Sequence, residues 1–530
     1  MGNGLPEIAP EERTPLVLAL LDIIQQQREA IQQLRDEIAR LKGQKPKPQI
    51  QPSRLEQVPR QAPAAEGEQR PGSQKRAKNA ELTIHRDVAV AVPNPPVGSV
   101  SLGCEPYVVQ ELIIKPENTR YWRERIRTRQ GETLLAPLPA EVLPGLHFGA
   151  TLICYVRHQY HHNHVTQPLL LEQLREFGID ISAGQLSRLL TENLDVFHQE
   201  KEALLPAGLK VSSYVGVDDT GARHQGKTGF CTHVGNELFA YFESTDSKSR
   251  LNFLEILRRP HTDYVINDVA LAYWRRQKMP AEVFAKLRQA PRNFADASAW
   301  RRELRKLAIT AKWHVRMATE GALLGSLIAH GVSPHLVVLS DGASQFDVLV
   351  HASCWIHAER PLARLVPSSA EQRAAVEAVR QQIWELYQDL KAYRQQPEPT
   401  RQPSLIARFE ALVGQRTEFP SIQSALKEMR SHQADLLRVL QRPEIPLHNN
   451  TSEAHIRDYV KKRKISGSTR SEAGRRCRDT FASLKKTCRS LGVNFWTYLQ
   501  DRVRGLGQIT HLADLLRHRA AEARMHVVAC

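Results

Sequence analysis

A chain of 530 residues, 41% hydrophobic and 25% charged, is long enough for several domains and apolar enough to give them cores. Its 73 Lys and Arg against 57 Asp and Glu give a formal charge of +16, which suits a polyanionic partner such as nucleic acid. No apolar run reaches the roughly 18 residues that span a bilayer, and seven scattered cysteines without a Cys-x-x-Cys pair argue against a disulfide framework or a zinc ribbon. The N-terminus has no basic signal-peptide region, and Pro6 stands where a myristoylation signal wants Ser or Thr, so a cytoplasmic, nucleoid-associated protein with reduced thiols is expected.

In chain order, Val17, Leu20, Ile24, Ile31, Leu34, Ile38 and Leu41 form a heptad seam interrupted by Gln27, which predicts a helix over about 14–42. Residues 1–45 are therefore read as a coiled coil that makes a homodimer or higher homo-oligomer. Residues 46–80, with Pro46, Pro48, Pro52, Pro59, Pro63 and Pro71 among polar neighbours, read as a disordered linker. Short Val/Ile stretches broken by prolines predict a small β-rich module over 81–145. His161, His162 and His164 lack partners at metal-ligand spacing and are read as surface or DNA-facing residues.

Residues 146–208 read as a helix-turn-helix domain. Leu169, Leu170, Leu171 and Leu174 make an apolar stripe, Gly178-Ile179-Asp180-Ile181 makes the turn, and Ser182 caps a helix that turns Leu186, Leu189, Leu190 and Leu194 inward. Ala183, Gln185, Ser187 and Arg188 would then meet a DNA groove, with Gln185 and Arg188 as the strongest candidates.

A catalytic domain is predicted over 209–365 and 441–505, with strands at 211–218, 229–235 and 238–243, one ending near Asp268, and one at 335–340. Asp218 and Asp341 close apolar strands, and Glu453 opens a strongly basic helix. Carboxylates from separate elements suit Mg²⁺, a hard cation that takes oxygen ligands and keeps several waters, with Mn²⁺ as a substitute. In a site of two ions ~3.5–4 Å apart, Asp218 would bridge, with Asp341 on one ion and Glu453 on the other; Asp268 is the rival for the second position. Residues 366–440 read as helical, with Ile383, Leu386, Leu390, Leu405 and Phe409 inward around a Pro-rich break at 397–403. Trp384 and Tyr387 are core or base-stacking residues, and Cys354 and Trp355 read as core.

After Glu453, residues 457–489 hold twelve basic residues against three acids. Arg457, Lys461, Lys462, Arg463, Lys464, Arg470, Arg475 and Arg476 are read as phosphate contacts, which set affinity and salt dependence but carry no sequence information. Residues 506–530 form a helical tail.

Asp218-Asp219-Thr220, Ser340-Asp341-Gly342 followed by Cys354-Trp355-Ile356-His357-Ala358-Glu359-Arg360, and Asn449-Asn450-Thr451-Ser452-Glu453 leading into Arg463-Lys464 together resemble the DDE transposases of the insertion sequence 66 family. Asp219 stands where that family usually has glutamate. The resemblance implies an α/β, ribonuclease H-like catalytic domain carrying the triad Asp218, Asp341 and Glu453, with a helical insertion after the second aspartate. It implies DNA as partner, in the form of element terminal inverted repeats and target DNA, and accessory proteins of the element. The family's four-cysteine zinc module has only Cys104 to match it in 81–145. The implied activity is metal-dependent cleavage and strand transfer at element ends; the alternatives are an inactive or domesticated DNA-binding descendant and a ribonuclease H-like nuclease.

Overall fold

The computed structural model describes residue 27 and residues 82–529 apart from 101, 140, 144 and 146, with side chains described to 523. The expected coiled coil and linker lie outside the described residues. The chain divides into two units, 28–117 and the remainder. The described part of the first carries no helix or strand, so the β-rich module expected over 81–145 reduces to one antiparallel hairpin in the second unit, β1 (Arg125–Arg127) with β2 (Thr133–Leu135). Three-residue strands with both faces exposed have nothing to pack on, which is why the Val/Ile content here does not grow into a sheet.

A small helical cluster follows: α1 (Ala150–Arg157), a π turn at His158–His162, α2 (Gln167–Glu176) and α3 (Ala183–Thr191). Ser182 and Gln185 form a reciprocal capping box at the start of α3. Leu170, Leu174, Ile181, Leu186, Leu189 and Leu190 share one core with Ile153 and Val156, whereas Leu169, expected inward, is 57% exposed. A 3.6-residue repeat puts only part of the Leu169–Leu171 run on the buried face.

α4 (Asp195–Val211) leads into a five-stranded mixed sheet of order β5-β4-β3-β8-β9. β3 (Tyr214–Gly221), β4 (Phe230–Gly235) and β5 (Ala240–Thr245) form an antiparallel meander. α5 (Arg250–Leu257) follows. β6 (Tyr264–Val265) pairs only with β7 (Asn293–Phe294) in a separate ribbon, with α6 (Asp268–Arg276) and α7 (Ala281–Gln289) between them. The strand expected to end near Asp268 is thus not part of the main sheet, and Asp268 opens a helix capped by the Asn267 side chain.

α8 (Ala297–Lys306) and α9 (Lys312–Ala329) return the chain to β8 (Val337–Ser340), which lies parallel to β3; β9 (Val350–Ser353) extends the sheet in parallel. The buried faces of α4 to α9 and the sheet share one large core. α10 (Trp355–Ala363) then enters a helical body of α11 (Ala370–Gln395), α12 (Gln402–Gly414) and α13 (Pro420–Ser431), followed by short helical turns to Gln441. Its separate core contains the five residues expected inward, Ile383, Leu386, Leu390, Leu405 and Phe409. Trp384 and Tyr387 are half-buried and meet edge to face at 5.3 Å.

The chain returns to the sheet as α14 (Asn450–Ser466) and α15 (Glu472–Ser490) and ends in α16 (Phe495–Arg504) and α17 (Leu512–Ala529). Among the described residues no helix is long and apolar enough to cross a membrane.

Candidate active site

Asp218 lies inside β3 rather than at its end, as the fifth of its eight residues. The parallel pairing of Gly216 with Leu339, continued two residues along both strands, sets position 218 beside 341, where β8 has just ended. Asp341 is exposed in the turn after β8, and its Oδ1 accepts the Ala343 N–H at 3.0 Å. The two aspartates thus come together at the adjacent inner strands β3 and β8 from positions far apart in the chain.

Glu453 arrives on the first turn of α14, where a carboxylate also suits the helix N-terminus. Asn449, buried just before the helix, donates from Nδ2 to the Val217 carbonyl at 2.7 Å and so ties α14 to β3 next to Asp218. Gly216 permits that approach: a Cβ there would stand 2.5 Å from both Asn449 Oδ1 and Ser452 Oγ. Cys354 joins the remaining parts. Its N–H donates to the Ser340 carbonyl at 2.9 Å, directly before Asp341, and its sulfur accepts the Asn449 N–H at 3.4 Å. Trp355 donates from its backbone to Leu447 and from its indole to Leu436. Cys354 and Trp355 are both buried, as expected, and they connect β8, β9 and the entry to α14.

Burial, then the neighbouring charge of Asp341, push the Asp218 carboxyl up from 3.8 to about 7; Asp219 and Glu453 add smaller effects, and the Asp219 N–H on Oδ1 works against them. Asp268 is not among the charges acting on Asp218. Glu453 Oε2 accepts from Arg457 at 2.6 Å, while its Oε1 is buried without a hydrogen bond, 3.7 Å from His357 Nε2 and 3.9 Å from Arg360. Asp219, on the opposite side of β3 from Asp218, accepts from Gln345 Nε2 at 2.9 Å. This bond reaches the turn that follows Asp341.

Among the described residues no group of three or more His, Cys, Asp or Glu side chains stands arranged to hold a metal ion. In donor chemistry Asp218, Asp341 and Glu453 nevertheless fit a hard divalent cation: all three offer carboxylate oxygens, Glu453 Oε1 is an unfilled buried acceptor, and the mutual repulsion at Asp218 is what a cation relieves.

The basic residues divide into two sets. Arg457, Lys461, Lys464, Arg470 and Arg476 are exposed. Lys462 is instead buried, with Nζ donating to the Tyr160 carbonyl at 2.7 Å over the Tyr160 ring; burial, then Arg478 and Lys485, pull its pKa down to about 7, so its amine is turned to Tyr160 rather than to solvent. Arg463 is half-buried and bonds Thr220 Oγ1 and the Gly221 carbonyl, and Arg475 pairs with Asp246 and Glu472. The run is also more balanced than its sequence suggests, since Arg457 pairs with Glu453 and both Lys485 and Lys486 pair with Asp458.

In the helical cluster Gln185 spends its side-chain oxygen on the Ser182 N–H, and Arg188 is exposed. His161 is not a surface residue: it is buried and stacks on Phe481 at 4.0 Å. His164 bonds Asp458 at 3.3 Å. Sequence reasoning missed Gly216, Asn449, Gln345 and the contact of Arg463 with β3. A glycine inside an apolar strand was the one available signal, because it commonly marks a close backbone approach.

Residues 337–476 match the family model described as "Transposase IS66 family". That span takes in Asp341, Cys354–Arg360 and Glu453 but not Asp218. The chain is also 41% identical over 321 residues, 60% of its own length, to the whole of "Uncharacterized protein y4jO" from Sinorhizobium fredii (strain NBRC 101917 / NGR234). Asp341, the Cys354 junction and Glu453 thus all lie inside a stretch that matches the IS66 transposase family, and the chain resembles the DDE transposases of that family.

Proposed function

We propose that the protein is a DNA transposase that cleaves element ends and joins them to target DNA, with Asp218, Asp341 and Glu453 as its catalytic carboxylates. The observation that carries this is the geometry that gathers the three acids: β3 beside β8 sets Asp218 next to Asp341, and Asn449 ties the start of α14 with Glu453 to β3, so that burial, then Asp341, and less so Asp219 and Glu453, push the Asp218 carboxyl up to about 7. An acid cluster of this kind is costly without a cation, and it marks a functional site more often than a structural one. The sheet, an antiparallel meander extended by two parallel strands, agrees with the ribonuclease H-like fold expected for this family.

Bound divalent ions would activate the attacking oxygen and stabilise the leaving oxygen of an in-line displacement. For this the chain supplies ionised Asp218 between Asp341 and Glu453, and α14 braced on β3 by Asn449. Arg457 holds Glu453 Oε2 and leaves Oε1 to an ion, and its exposed guanidinium would also be open to a phosphate. His357 and Arg360 flank the same carboxylate and would orient the phosphodiester. The exposed Lys461, Lys464, Arg470 and Arg476 would hold the DNA backbone, and the α2–α3 pair would recognise the ends, with Arg188 foremost. The sequence-stretch organisation, a coiled coil at 1–45, linker at 46–80 and helical insertion at 366–440, belongs to the same proposal.

The test is cleavage and joining of labelled element-end DNA with Mg²⁺ or Mn²⁺. Joined products that vanish in Asp218→Ala, Asp341→Ala and Glu453→Ala are expected. Metal-dependent cleavage that survives in all three would refute the assignment.

A further inference from the structure

A groove of about 740 Å³ runs between the α2–α3 pair and residues 465–478, which join α14 to the start of α15. None of the residues lining it is Asp or Glu, seven are Ser or Thr, and Arg470 and Arg478 are its charged members. Arg475 nearby is tied to Asp246 and Glu472, whereas Arg470 is exposed. Ser187 and Thr191 face the groove from α3, and Ser466 on the opposite wall has a buried hydroxyl without a hydrogen bond.

That wall is held in place. Thr469 donates its N–H to the Arg223 carbonyl, its own carbonyl accepts the Gln225 N–H, and its hydroxyl meets His224 Nδ1 at 2.8 Å. The groove is therefore a standing feature whose hydroxyls and cations suit phosphodiester oxygens, while Leu171, Leu186, Leu190 and Ile465 give it an apolar floor for bases. Its volume falls within the roughly 300–1,000 Å³ of small-ligand clefts, room for a few nucleotides of one strand rather than for a double helix. The face of α3 with Ser187 and Thr191 is thus turned to a narrow channel, not to an open duplex.

Resting on the reading of the chain as a DNA-processing enzyme, we propose that this groove binds a single DNA strand, seating its backbone between α3 and Arg470. Distance sets where that strand lies relative to the chemistry. Glu453 and Ile465 are twelve residues apart on one helix, roughly 18 Å at ~1.5 Å per residue. The groove thus lies toward the far end of α14 from Glu453, and a single strand seated there would be separated from its complement on the enzyme.

The experiment compares binding of labelled oligothymidylate, about 20 nucleotides long, with binding of a blunt duplex of equal length, by full-length protein in EDTA. Ser187→Phe, which fills the groove, is expected to weaken the single strand about tenfold and the duplex less than twofold. Ser468→Glu, which adds a carboxylate to the loop wall without enlarging α3, provides the same reading if Ser187→Phe fails to fold. Equal losses on strand and duplex, or no loss on the strand, would overturn the proposal. Because no metal or cleavage enters this assay, failed catalysis with selective strand binding would sink only the catalytic reading, and the reverse result only this one.

Discussion

Replacing Asp218 by Asn should stabilise the metal-free protein while abolishing cleavage. The native carboxyl titrates near 7 against an ordinary value of 3.8, so the native state holds an extra proton between those values. Stability from this group is full below about pH 4 and falls as pH rises to 7. The rise, at ~1.4 kcal/mol for each tenfold change, sets a ceiling of about 4 kcal/mol at neutral pH. The site opens to water through exposed Asp341, so screening reduces the expected gain to on the order of 1–3 kcal/mol. Asn keeps an oxygen to accept the Asp219 N–H and removes only the charge. Denaturation in EDTA should therefore show Asp218→Asn more stable than wild type at pH 8, by a smaller margin at pH 5, and equal to it only below about pH 4. Adding Mg²⁺ should raise the wild-type midpoint and leave the variant's unchanged. An equal gain at both pH values, or a loss at pH 8, would refute the electrostatic account.

Gly216→Ala should push α14 off β3, because the new methyl meets Asn449 and Ser452 at 2.5 Å; overpacking of this kind costs about 1–3 kcal/mol, and cleavage should fall at least tenfold while DNA binding persists. Gln345→Ala removes the bond from Asp219 to the turn after Asp341 and should lower the cleavage rate without changing the salt dependence of binding. In salt titrations Lys461→Ala should reduce the slope of log affinity against log salt by about 1. Lys462→Met, at a buried lysine bonded to Tyr160, should leave that slope unchanged, whereas a drop equal to that of Lys461→Ala would show Lys462 reaching phosphate. Trp355→Ala should cost about 3–5 kcal/mol by emptying a buried position, read in the unfolding of the helical body formed by 370–441.

Local rules made much of this protein legible in its sequence. The Ser182 cap, the turn at Gly178, the meander strands and the inward face of Ile383, Leu386 and Leu390 all follow from interactions between residues a few positions apart, which the sequence displays directly. Strand register and charge partners are different, because they join residues hundreds of positions apart. The sequence alone could nominate Asp218, Asp341 and Glu453, yet only the β3–β8 pairing and the Asn449 tether bring them into one electrostatic neighbourhood. The same holds for the basic run. Lys462 and Lys464 are equivalent on paper, but a helix turns successive residues to different sides, and one faces Tyr160 while the other faces water. The identity and order of the charged groups were thus determined by the sequence itself. Which of them are buried, paired or open to a substrate was decided by the tertiary structure, because desolvation and Coulomb interactions depend on distance in space rather than along the chain.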